Sequence, residues 1–383
     1  MLRALEAVRY GDLAVFLPDG EKLFYGGQKP GSSAEWRVND MLALDMIAAS
    51  GETGLGEAYM TGLWDTPDIT ALLRLFAENA DALRSCAQGG ALYRCLYACG
   101  NGFRRNNKSG SRKNVQAHYD LGNAFYSLWL DDSMTYSGAL FGGDPSKTLE
   151  QAQRDKYRRI LDRLAPRPGA HILEIGCGWG GFMAEAVRNG QRVTGVTLSP
   201  AQAGLAQSRL AEMRAHDAAD VCLRDYRDVS GQYDHVVSIG MMEHVGEKYW
   251  PEYMHRVRAA LKPGGKAMIQ TIVARDDLFH DHGKNNDFVR KHIFPGGMLP
   301  SAPRFTIEAA GAGLRVNDIF RFGGDYAITL EKWLERFENR LFGIMSLGYD
   351  ETFIRKWRFY LAGCAAMFRA GRIDVMQAEL EAA

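Results

Sequence analysis

A chain of 383 residues can bury a large core and fill two folding units. Lysine plus arginine and aspartate plus glutamate both number 46, so no global field draws the protein to nucleic acid, and no nucleic-acid partner is expected. Six cysteines without paired C-x-x-C spacing read as free thiols of a reducing compartment with no metal site, and no uncharged run approaches bilayer length, so the expectation is a cytoplasmic protein that can rest on the inner face of a membrane.

Residues 1 to about 85 mix short strand-like runs and turns, DLAVFLPDGEKLFYGG and AEWRVND, with helix-like runs in MLALDMIAAS and ITALLRLFAENADALRS. That mixture predicts a small α+β domain over 1–100. ALYRCLYACGNGF at 91–103 is helical in pattern and rich in aromatics. It runs into FRRNNKSGSRKNV, which holds five basic residues and no acid. The stretch 101–115 therefore reads either as a solvated linker or as a patch for anionic lipid headgroups.

From residue 150 the periodicity changes. Apolar strand candidates at HILEIG (171–176), RVTGVTL (192–198), DVCLRD (220–225), HVVSIG (235–240) and KAMIQTI (266–272) alternate with helical stretches such as AQAGLAQSRLAEMRA. This is the βαβ rhythm of an α/β domain, a parallel sheet with helices on both faces, assigned to 116–383. LKPGG at 261–265 predicts a helix stop before the fifth strand. A long insertion through Pro300, a strand at LRVNDIF and two helical runs complete the chain.

The first of these strands ends in LEIGCGWGGF, where Gly176, Gly178 and Gly181 match G-x-G-x-x-G. Glycines at such a turn let a ligand lie against bare backbone. A nicotinamide enzyme would place an acid about 20 residues further on, at the end of the second strand, to hold a ribose hydroxyl. That strand ends in Thr197, Leu198 and Ser199, while the acids stand at Glu174 and at Asp225 in RDYRD. An acid after the third strand can accept from an adenine amino group, and Cys177 and Gly178 offer backbone to a ligand without a pyrophosphate. S-adenosylmethionine suits this arrangement better than a dinucleotide.

From about residue 54 to 377 the chain resembles the cyclopropane-fatty-acid synthase family, which includes the mycolic acid methyltransferases. The resemblance is carried in order by GLGEAYMTGLW, AHYDLGNAFYSLWLDDSMTYSGALF, LEIGCGWGGF, GVTLSPAQ, RDYRD, SIGMMEHVG, IFPGGMLPS, DYAITL and YLAGCAAMFRAGRIDVMQ. It implies a Rossmann-like class I methyltransferase domain with a helical insertion behind the small N-terminal domain, whose role would be lipid contact or dimerisation as a homodimer. It also implies cofactor contacts at Tyr136, Ser137, Gly176, Cys177, Gly178, Thr197, Leu198 and Gln202, with Tyr226 beside the adenine.

The resemblance further implies methyl transfer from S-adenosylmethionine to the cis double bond of an unsaturated acyl chain, usually on a phospholipid, by an enzyme peripheral to the membrane. An alkene is a weak nucleophile, so the site must align it, exclude water and support a carbocation. Aromatic rings suit that charge, with candidates at His118, Tyr119, Tyr136, Phe141, Trp179, Tyr249 and Tyr326. In the family a bicarbonate then removes a proton from the transferred methyl and closes a ring. Its holders map onto Glu243, Ile272 and Tyr326, which are kept, and onto Gly138 and Gln270, where the family has cysteine and histidine. Both changes lose a titratable group, so bicarbonate binding is in doubt. The product could then be a ring, a methyl branch or a methylene, and restoring both residues should move it toward the ring. A dinucleotide oxidoreductase, a non-catalytic lipid-binding relative and a methyltransferase of a soluble molecule are the competing readings.

Overall fold

The computed structural model describes residues 2–84, 121–279 and 287–382. The basic run, His118 and Tyr119 lie outside them. The described chain forms two compact units. One combines residues 2–84 with 287–295 and 330–372, so it is not contiguous in sequence. The other takes 121–279, 296–329 and 373–382.

In the first unit, β1 (Tyr10–Phe16), β2 (Lys22–Gly26), β3 (Lys29–Val38) and β4 (Trp64–Asp65) form a sheet of order β2-β1-β3-β4. Along β1 the buried residues alternate, Gly11, Leu13 and Val15, as a sheet with one covered face requires. The helices α1 (Leu42–Ser50), α2 (Glu52–Met60) and α3 (Ile69–Glu78) follow, with Asp68 capping α3 through the Ala71 amide. α3 packs on β1 and β3 and against the later helix Glu351–Arg369. Trp36 and Trp64, both fully buried, meet edge to face at 6.3 Å, and the Trp64 indole donates to the Leu55 carbonyl.

The second unit opens with α4 (Leu149–Leu164), started by a reciprocal Thr148–Gln151 capping box. It continues through β5 (His171–Ile175), α5 (Gly181–Arg188), β6 (Arg192–Thr197), α6 (Pro200–Glu212), β7 (Ala219–Leu223), β8 (Tyr233–Ile239), α7 (Trp250–Ala259) and β9 (Leu261–Ala274). α8 (Ala302–Gly311), β10 (Leu314–Arg321), the start of α9 (Gly323–Glu338) and β11 (Ile373–Ala382) complete it. The strand order is β10-β11-β9-β8-β5-β6-β7, and β11 alone runs against its neighbours. Helices cover both faces, so β5 is buried along almost its whole length. The five parallel strands expected from the sequence are all present. LKPGG does follow the end of α7, but it belongs to β9 itself, where the pairing with β8 shifts register between Tyr233 and His235.

The strand β11 is absent from the sequence reading. Its residues, IDVMQAELEA, favour helix by propensity, and its buried Gln377 and Glu379 break the apolar pattern of a covered strand. Partners supply the compensation. Arg159 and Gln270 hold Gln377, while Arg163 and Lys266 hold Glu379. No helix of the described residues is long and apolar enough to cross a membrane.

Candidate active site

Strand order places the crossover reversal between β5 and β8: the chain moves outward from β5 to β6 and β7, then returns to β8 and continues to β9 on the other side. Ligands of open α/β sheets bind at the carboxyl ends of strands where this happens. The predicted residues fall along that edge. Gly176–Gly178 follow β5, Thr197 and Leu198 end β6, and Asp225 and Tyr226 follow β7. Glu243 follows β8, and Gln270 and Ile272 stand near the end of β9.

The turn after β5 is shaped by its glycines. Gly176, Gly178 and Gly180 have φ of +82°, +52° and +80°, a region L side chains rarely adopt. The amides of Gly176 and Cys177 both donate to the Val196 carbonyl, which ties the turn to β6. A Cβ at Gly178 would meet nothing within 4 Å, so bare backbone faces open space there. That cradle fits a cofactor lying against the turn. Cys177 packs inward, with its thiol pKa raised by burial, and offers backbone only. The Thr197 hydroxyl donates to the Gln202 side-chain oxygen at 2.7 Å, and Ser199 caps α6.

After β7, both oxygens of Asp225 accept from Arg227, at 2.8 Å from Nε and 2.7 Å from Nη2. The sequence reading did not foresee this pairing. Tyr226 is buried, stands edge to face with Tyr253, and its hydroxyl has no hydrogen-bond partner among the described residues.

The segment 131–142 brings Tyr136, Ser137 and Gly138 into the same unit. Asp131 accepts from Ser133 and from the Thr135 amide, and Thr135 shares a hydrogen bond with the Tyr157 hydroxyl at 2.8 Å. Tyr136 joins Tyr126 and Trp129, each at 5.5 Å between ring centres, and Trp179 stands 5.2 Å from Tyr126. The Ser137 carbonyl and hydroxyl accept from Gln153 and Lys156 of α4. Phe141 is a core residue with no exposed surface.

Glu243 is 5% exposed, in the short helix Met242–Val245. Its Oε2 accepts from the Thr271 hydroxyl at 2.8 Å and its Oε1 from the Ile272 amide at 3.3 Å. Burial raises its pKa to about 7, while these two donors pull the other way. Thr271 is a residue the sequence reading passed over, although it stands between two that were named.

The two departures from the family pattern are explained by their neighbours. A Cβ at Gly138 would stand 2.5 Å from Cδ2 and 2.6 Å from Cγ of Tyr326, closer than real Cβ atoms approach. The Tyr326 ring therefore occupies the volume of the side chain that is missing at Gly138. Two bonds fix the approach: the Ala139 amide donates to the Thr329 hydroxyl, and the Gly142 amide donates to Asp325 Oδ2. Gln270 is 1% exposed and accepts from Gln377, which in turn accepts from Arg159. It belongs to a structural network between β9, β11 and α4. Neither Gly138 nor Gln270 therefore presents the side chain that the family uses at this position. A cysteine at Gly138 would require the Tyr326 ring to shift.

The family model described as mycolic acid cyclopropane synthetase matches residues 106–378. The chain is 38% identical over 344 residues to the tuberculostearic acid methyltransferase of Mycobacterium tuberculosis, covering 86% of this chain and 79% of that one. It is 35% identical over 356 residues to the cyclopropane-fatty-acyl-phospholipid synthase of Escherichia coli, covering 90% and 87%. Among solved structures, a mycolic acid cyclopropane synthase complexed with S-adenosylhomocysteine and CTAB is similar with a TM-score of 0.66 and 33% identity, over 70% of this chain and 97% of that one.

Proposed function

The chain belongs to the mycolic acid cyclopropane synthetase family and is an S-adenosylmethionine-dependent methyltransferase of unsaturated acyl chains; we propose that Glu243 is its proton acceptor, without bicarbonate, and that the transferred carbon ends at least partly as the branch of a methylated alkene or as a methylene. The cofactor supplies an electrophilic methyl group. The turn Gly176–Gly178 with Tyr136, Ser137, Thr197, Leu198 and Gln202 would hold it, with Asp225 and Tyr226 available to its adenine. Methylation of an alkene leaves a carbocation on the acyl chain, which the Glu243 carboxylate and the Tyr326 ring stabilise. One proton must then leave. Glu243 is buried, held by Thr271 and Ile272, and has a pKa near the working pH of a general base.

The observation that carries this reading is the Tyr326 ring standing where a side chain at Gly138 would be. The similarity to a relative named for tuberculostearic acid favours an unringed product, since that name does not describe a cyclopropane synthase. Glu243→Gln keeps the shape and removes the base, so turnover should fall by about a hundredfold or more. Affinity for S-adenosylhomocysteine should stay within a few fold. Retained turnover would remove Glu243 from this role.

The substrate is an acyl chain, which partitions into membranes, and the protein accordingly works on the cytoplasmic face of the membrane as a peripheral enzyme. The basic run at 103–115 supports that placement. Changing Arg104, Arg105, Arg112 and Lys113 to Gln should weaken binding to anionic vesicles by up to about 1 kcal/mol per charge. Equal flotation of wild type and variant would leave the segment a linker.

A further inference from the structure

The buried face of α4 carries two polar residues, Gln153 and Lys156, among Leu149, Ala152, Tyr157, Ile160, Leu161 and Leu164. Both act on Ser137. Gln153 Nε2 donates to its carbonyl at 2.8 Å and Lys156 Nζ to its hydroxyl at 2.7 Å. Lys156 has no exposed surface, and among the described residues no carboxylate forms an ion pair with it. A buried ammonium is costly unless it is compensated, and Asp131 and Glu174 act on this one only from beyond ion-pair distance. Glu174, at the end of β5, is 3% exposed, and its Oε2 has no hydrogen-bond partner among the described residues.

We infer that Lys156 is a positioning residue of the cofactor site, which turns the Ser137 hydroxyl proton toward the ligand and sets a positive charge behind it to receive the carboxylate of the cofactor's amino-acid end. The inference rests on the methyltransferase reading. An ammonium has only donors, so Ser137 must accept from it and present its own proton elsewhere. Neutral lysine can accept from Ser137 instead, and the hydroxyl proton is then no longer directed outward.

Burial lowers the Lys156 pKa to about 7, so this arrangement is held at lower pH and lost as pH rises through that value. Asp131, from the preceding segment, and Glu174, from β5, face the lysine and oppose the lowering, and burial raises Glu174 itself to about 8, so that it also changes charge between pH 6 and pH 9. Its Nζ lies 4.5 Å from the Tyr157 ring on its own helix. Arg209 of α6 interacts electrostatically with Tyr157 and Asp131.

Calorimetric titration of the full chain with S-adenosylhomocysteine and with 5′-methylthioadenosine, which lacks the amino-acid end, tests this at pH 6 and pH 9. Wild type should bind S-adenosylhomocysteine about tenfold more weakly at pH 9, the scale of one hydrogen bond to a charged group, and methylthioadenosine equally at both. Lys156→Arg, whose charge does not titrate, should keep more of the affinity at pH 9, and comparison at one pH cancels the ligand's own titration. Lys156→Met should bind weakly at both. Equal pH profiles for the two ligands in wild type, a result independent of how the variants fold, would overturn the role of Lys156. Failure of S-adenosylhomocysteine to bind at any pH would instead overturn the cofactor reading together with it.

Discussion

Replacing Glu243 by Gln should make the protein more stable relative to wild type as pH rises, even as it removes the activity. Glu243 has a folded pKa of about 7 against an ordinary 4.5, and burial is the main cause. The folded state therefore binds a proton between these values that the unfolded state has already lost. By linkage, the stability this group contributes is fully present below about pH 4.5 and is lost as pH rises through 7. The difference between 4.5 and about 7 corresponds to about 3 kcal/mol. With 5% exposure, little solvent screening reduces this figure. Gln does not titrate, and every other group is common to the two proteins. The variant's stability minus that of wild type should thus grow by about 3 kcal/mol between pH 4.5 and pH 8, read from urea unfolding curves at a series of pH values. The same ionisation governs catalysis, so wild-type turnover should fall about tenfold per unit below pH 7. A stability difference that does not change with pH would refute the buried, raised carboxylate on which the assignment of Glu243 depends.

Two further substitutions probe the cofactor turn and the filled anion position. Gly178→Val places a branched side chain on the open side of the turn at a φ of +52°, so S-adenosylhomocysteine affinity should drop by at least about tenfold, measured by calorimetry; unchanged affinity would take the turn out of the site. Gly138→Cys forces the Tyr326 ring to move and should cost about 1–3 kcal/mol of stability, with lower turnover whether or not Gln270→His accompanies it. A stable, more active Gly138→Cys variant would show that the ring yields readily.

Much of the second unit could be read from sequence because its signals are local. A βαβ rhythm needs only apolar runs of strand length between amphipathic helices, and β5 to β9 all came from such runs. The glycine turn was legible for the same reason, since glycine is the residue that readily adopts the positive φ found at Gly176, Gly178 and Gly180. What escaped depends on partners distant in sequence. β11 is a strand because Arg159, Arg163, Lys266 and Gln270 satisfy its inward polar residues, none of them a neighbour in sequence. The filling of the Gly138 position by Tyr326 likewise joins residues far apart in the chain. Lys156 did leave a local trace, a lysine on the apolar face of α4, which periodicity could have flagged as a buried charge in need of a role.

The fate of the transferred carbon distinguishes a carboxylate base from bicarbonate. Purified protein should be given S-adenosylmethionine and vesicles of unsaturated phospholipid in buffer stripped of carbon dioxide, and the acyl chains examined by mass spectrometry before and after mild hydrogenation. A methylene takes up hydrogen under conditions that leave a cyclopropane intact. One-carbon-longer chains should form without added bicarbonate, with a hydrogen-accepting fraction, methylene or methyl-branched alkene, among them. Cyclopropane as the sole product, formed only when bicarbonate is restored, would contradict a carboxylate base.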